Sequence, residues 1–185
     1  MLWIAIGLGA LALILIIWFI GIYNALVRLK NQCNNAWSQI DVQLKRRHDL
    51  IPNLMETVKG YMQHERELME QITKYRSQAM NAQGVGDISQ AEGLLSGALG
   101  RLMIAVENYP DLKANQNFLA LQEELTSTEN KVSFARQAYN DAAMFFNNKI
   151  EMFPSNIIAG MFSFKQREFF EVEDATEREV PKVSF

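Results

Sequence analysis

Cysteine is almost missing from this chain. The only one among 185 residues is Cys33, which excludes an internal disulfide and a CxxC site. Histidine occurs twice, at His48 and His64, too seldom for a multi-histidine metal centre. His64-Glu65 does not extend into a helical zinc motif, because Glu67 and Leu68 follow where the second histidine would stand. Four prolines and ten glycines are too few for the many turns of an all-β fold and favour long helices. There is no basic excess either. Acids outnumber bases 21 to 18, for a net charge of −3, whereas a domain that binds nucleic acid carries the reverse balance. Nor is there a Ser-His-Asp context, a phosphate loop or a kinase signature. The sequence therefore assigns no catalytic residue, no cofactor, no metal and no nucleic-acid partner, and the expectation is a protein that is not an enzyme.

Charge is absent from the first 27 residues, and Arg28 carries the first one. Within that stretch, Leu2 to Ile22 holds 18 hydrophobic residues and three glycines. As a helix it spans about 32 Å, close to the hydrocarbon thickness of a bilayer. The run is too long for a signal-peptide core and lacks a basic start and a small-residue cleavage site. It reads as an uncleaved anchor over residues 1–22, with Trp3 and Trp18 near its two ends as interface aromatics. Arg28, Lys30, Lys45, Arg46 and Arg47 follow the anchor. By the positive-inside rule they place the large domain in the cytoplasm, below a bacterial inner membrane.

Beyond the anchor, apolar positions recur at helical spacing. Leu26, Leu29, Cys33, Trp37, Ile40, Leu44, His48 and Ile51 form one face of a helix that continues out of the membrane, and Pro52 is expected to end or kink it. A second segment runs from Leu54 to Ala79, with Asn53 as its cap and Gly84-Val85-Gly86-Asp87 as the turn after it. A third covers Ser89 to Val106, where Gly93, Gly97 and Gly100 would allow close approach of another helix. A fourth runs from Asn115 to Phe153 and is closed by Pro154. The predicted fold is all-α: one transmembrane helix running into an elongated antiparallel bundle of about four helices. The bundle occupies residues 23–164, and an acidic, extended tail occupies 165–185. Alternation of direction returns the stretch from Phe153 to Phe170 to the bilayer.

Several motifs carry a family resemblance: Tyr23-Asn24-Ala25-Leu26-Val27, Ala36-Trp37-Ser38-Gln39-Ile40-Asp41-Val42-Gln43, Arg46-Arg47-His48-Asp49-Leu50-Ile51-Pro52-Asn53-Leu54, Leu121-Gln122-Glu123-Glu124-Leu125, Met152-Phe153-Pro154 and Pro181-Lys182-Val183-Ser184-Phe185. With these the chain resembles the LemA family of bacterial membrane proteins over nearly its whole length. The resemblance implies one N-terminal transmembrane helix, a helical bundle, no catalytic activity and no cofactor. It also implies relatives with a lipid-accepting cysteine outside the cytoplasm, which pulls against the orientation read from charge. Cys33 stands where an apolar residue is expected in the family, and Phe146 where a tyrosine is.

The interaction candidates are Arg46 and Arg47 in the basic run, Phe162, Phe164, Phe169 and Phe170 in the returning aromatic stretch, and Pro181 and Phe185 in the tail. The basic run reads either as a site for lipid phosphates or an acidic partner, or as packing against acids such as Glu56, Glu123 or Glu129. Glu65 falls on the apolar face of its segment and needs a partner there. The polar series Asn24, Asn130, Asn140, Asn147 and Asn148 reads as register-setting or as ordinary surface. The functional expectation is a non-enzymatic, membrane-anchored scaffold that self-associates and organises membrane proteins or the bilayer. The competing expectation is an adaptor of low copy number that presents its tail or basic turn to a membrane protease or signalling protein.

Overall fold

The computed structural model describes residues 2–62 and 64–170, and every regular element among them is a helix. Six helices follow in order: α1 Leu2–Lys59, α2 Arg66–Asn81, α3 Val85–Val106, α4 Pro110–Lys113, α5 Gln116–Glu151 and α6 Ser155–Met161. The expected all-α class holds, with one N-terminal helix long and apolar enough to cross a membrane. Among the described residues none of that apolar run is fully buried, and it is exposed from Leu2 to Trp18. The chain divides into two compact units, and both long helices contribute to each.

The first unit combines α1 up to Asp41 with residues 134–168, which hold the second half of α5 and all of α6. Leu26, Cys33, Phe146, Ile150, Ile158 and Ala159 are its buried core, with Phe19, Tyr23 and Phe164 packed on them. The helical face predicted from Leu26 and Cys33 is the face that this core uses. Helix α6 ends in a reversal at Ser163, a non-glycine residue at φ 55°. The Ser163 amide bonds the Gly160 carbonyl at 3.2 Å and the Phe164 amide reaches Ala159 at 2.9 Å, the paired bonds of a left-handed helix stop.

The second unit combines residues 42–133, from the last part of α1 to the first half of α5, and among the described residues also takes in Phe169 and Phe170. Its core is built on Ile51, Leu54, Val58, Ile72, Leu95, Leu102, Leu112 and Phe118. Asn115 begins α5 as expected: its Oδ1 accepts the amides of Asn117 and Phe118 at 2.9 and 3.1 Å, which satisfies two donors the helix leaves over. Helix α5 then passes through Thr126 and Thr128 unbroken, their hydroxyls donating to the carbonyls of Gln122 and Glu124.

Several local expectations fail; among them Asn53, expected to cap a second helix, lies inside α1. Pro52 does not end the first helix but lies inside α1, on its exposed side. Proline has no amide to give the carbonyl four residues back, and that carbonyl, on His48, accepts Arg76 Nε from α2 at 2.7 Å instead. With the orphan satisfied, the helix runs on to Lys59. Glu65 is the residue before α2, half-exposed, rather than a carboxylate inside a helix. The turn after α2 is shorter than expected, because α3 already begins at Val85. Gly84 sits before it at φ +86°, a conformation that glycine adopts without strain. Gly93, Gly97 and Gly100 face open space, and a Cβ there would meet nothing within 4 Å.

Candidate functional site

In the first unit the C-terminal end of α5, helix α6 and the irregular arm after it form an elbow against α1. The Phe162 ring lies 4.6 Å from that of Tyr23 and 6.1 Å from that of Phe19. Phe164 follows 6.1 Å from Tyr23 and 6.2 Å from Phe146, with Lys30 Nζ 5.9 Å from its centroid. These contacts set the elbow beside the end of the apolar run of α1. The four phenylalanines divide. Phe162 and Phe169 are partly exposed, Phe164 is half-buried in the core of the elbow, and Phe170 is only 2% exposed. Pro181 and Phe185 lie outside the described residues.

Asn147 fastens the arm. Its amide donates to the Arg167 carbonyl at 2.9 Å, and its Oδ1 accepts the Arg167 amide at 2.8 Å. Tyr139 adds a bond from its hydroxyl to the Glu168 carbonyl at 2.9 Å, and Arg167 Nη2 donates to Asn34 Oδ1 at 2.8 Å. Of the asparagine series, Asn147 therefore has a structural task that helical spacing could not reveal, because its partner is backbone. Burial pushes the Cys33 thiol up from its ordinary 9.0, against the opposing charge of Arg167. Burial likewise raises the Tyr139 phenol from 10.0; Arg167 opposes that shift, and Cys33 and Glu168 add to it. Cys33 is thus a core thiol rather than a poised nucleophile.

The second unit contains a buried ionic cluster. Arg47, 1% exposed, sends Nη1 to Glu92 Oε2 at 3.1 Å and Nη2 to Ser96 Oγ at 2.8 Å. Its Nη2 lies 3.7 Å from Glu129 Oε1. His48 Nε2 lies 2.6 Å from Glu92 Oε1, so both oxygens of a fully buried carboxylate are engaged. Arg46, half-exposed, pairs with Glu124. The basic run is therefore the middle of a helix that packs against acids rather than a turn open to a partner. Glu129 was among the acids expected; Glu92 was not. Its spacing to Leu95, Leu99, Leu102 and Val106 puts it on the buried face of α3, and that was the available signal. Between α1 and α2 a groove of about 870 Å³ is lined by Met55, Met62 and Met69 together with Lys59, Glu70 and Lys74. Among the described residues no cluster of His, Cys, Asp or Glu could hold a metal ion.

The family model described as LemA family matches residues 36–185. The chain belongs to the LemA family. Protein LemA of Metamycoplasma hominis is 34% identical over 143 residues, covering 76% of this chain and 65% of that protein. Magnetosome protein MamQ 2 of Paramagnetospirillum magneticum is 26% identical over 179 residues, and Magnetosome protein MamQ of Magnetospirillum gryphiswaldense 24% over 179, each covering 83% of this chain and 66% of the relative. The chain thus spans slightly less than two thirds of the length of these relatives. None of these names is that of an enzyme.

Proposed function

We propose that this LemA-family chain is a non-enzymatic scaffold, anchored by residues 2–22 as a single span in the bacterial inner membrane, which self-associates and organises membrane proteins or the bilayer. The observation that carries this reading is apolar surface left uncovered in the first unit. The run of α1 is exposed from Leu2 to Trp18. On α5, Phe134 and Phe145 are 73% and 58% exposed, and Met152, just past the end of the helix and still bonded to the Asn148 carbonyl, is exposed too. Spacings of eleven and seven residues keep these three side chains on one stripe, about 27 Å long. A water-facing stripe of that kind fits contact with a second copy of the chain. The relatives named for the magnetosome support a role tied to an organised cellular structure. The charge that follows the anchor supports a cytoplasmic domain.

The test is the mass of the intact protein in mild detergent, with images of the particles. The expected result is a closed assembly of defined copy number that Phe134→Ser with Phe145→Ser reduces to smaller species without lowering the helical signal. A wild-type monomer under the same conditions overturns self-association and returns attention to an adaptor role.

A further inference from the structure

Resting on the membrane reading above, we infer that the elbow of the first unit is a binding site for an anionic phospholipid of the leaflet from which α1 emerges. The site is a cleft of about 650 Å³ with aromatic walls of Tyr23, Phe162 and Phe164 and three cations, Lys30, Lys165 and Arg167. Its depth is fixed by α1. Tyr23 directly follows the apolar run, and Lys30 stands about 12 Å further along the helix than Ile22. The cleft therefore opens at the height of the headgroup layer. Aromatic rings with a polar tip and lysines with long apolar stems are the side chains that settle there.

The charge is one-sided. No carboxylate is among the residues that line the cleft. Lys30 meets the face of Phe164, and the guanidinium of Arg167 donates to the neutral Asn34. Neither contact cancels a positive charge. Lys30 and Lys165 have no ion-pair partner among the described residues. The Asn147 clamp holds the arm that bears Lys165 and Arg167 against α5, so the cations are placed before any ligand arrives. Toward the anchor, the tip of the elbow exposes Phe153, at 79%, with Ile157 and Met161. A headgroup phosphate in the cleft would leave the acyl chains alongside these three residues and the apolar run of α1. A soluble phosphate would use the cations and leave the apolar tip unmatched, and this favours the lipid.

The experiment uses the full chain in mixed micelles of phosphatidylcholine and phosphatidylglycerol, with retained lipid counted by native mass spectrometry. Wild type is expected to retain phosphatidylglycerol selectively. Lys30→Gln with Lys165→Gln, both at exposed positions, should reduce that selectivity about thirtyfold, as expected for loss of two cations at an anionic surface. Equal retention of the two lipids by wild type, or selectivity unchanged in the double variant, overturns the proposal. So does displacement of the lipid by millimolar inorganic phosphate, which would mark a site for the free anion. Extraction of membranes with alkaline carbonate separates the two levels. Release of the protein into the wash defeats the anchor itself, whereas retention without lipid selectivity defeats only the cleft.

Discussion

Glu92 shows how much one side chain decides. Removing it leaves Arg47 and His48 facing an empty buried position, and loss of one member of a buried ionic group costs about 3–5 kcal/mol. Glu92→Ala should therefore lower the urea midpoint sharply. Replacing the trio together, with Arg47→Met, His48→Leu and Glu92→Leu, should recover most of that loss, since apolar packing of similar volume does not carry the desolvation cost of buried charge. A midpoint unchanged in Glu92→Ala would mean that the cluster is hydrated. Cys33 offers a second test. Both it and Tyr139 have pKa values raised by burial, so folding favours their neutral forms. Their contribution to stability is whole below the ordinary values of 9.0 and 10.0 and is lost as pH rises through the higher folded values. Denaturation midpoints measured from about pH 8 to about pH 11 should fall, and Cys33→Ala should make the fall shallower. At this scale the sequence was legible where a residue sits on an apolar stripe, as Leu26, Cys33 and Ile51 do. It was opaque where the partner is another polar group far along the chain. The spacing of Arg46 and Arg47 showed charge, but only folding showed that Arg47 turns inward to Glu92 and Arg46 pairs with Glu124.

Among the elements, α1 departs furthest from expectation. Proline rules describe a helix alone, and alone α1 would stop or bend at Pro52. Arg76 changes the outcome by giving the His48 carbonyl a donor. Arg76→Met should cost about 1–3 kcal/mol, the penalty for an unsatisfied buried acceptor. In a Pro52→Ala background, where residue 52 regains its amide, the same substitution should cost clearly less. Equal costs in both backgrounds would show that Arg76 acts by packing rather than through this bond. The arm after α6 invites a simpler check. Asn147→Ala removes both bonds to Arg167, so limited trypsin digestion should cleave at Lys165 and Arg167 faster, while the helical signal stays. Periodic faces were readable, and the fourth segment starts at Asn115 as expected; the one cap expected, Asn53, lies inside α1 instead. The start of α2 was not readable, because the apolar period continues through Tyr61 and Leu68 although the backbone breaks between them.

For the whole molecule, class and family were plain in the sequence. An uncharged run of bilayer length, scarce glycine and proline, and motifs spread over most of the chain all pointed to one N-terminal apolar helix on an all-helical protein of the LemA family. The division into two units was not visible, because α1 and α5 each serve both and no composition break marks the boundary. Phe164→Ser and Phe170→Ser should lower thermal stability, since one packs inside the elbow and the other is buried. Phe153→Ser should leave the melting temperature near that of wild type, because this ring is exposed. The loan of a carbonyl from α1 to α2 also bears on how the protein is made. A chain leaving the ribosome presents residues 2–52 long before residue 76, so the segment after Pro52 emerges while the His48 carbonyl has only water to bond. Its final turns would then become protected against hydrogen exchange at the same time as α2, and not with the rest of the helix to which they belong.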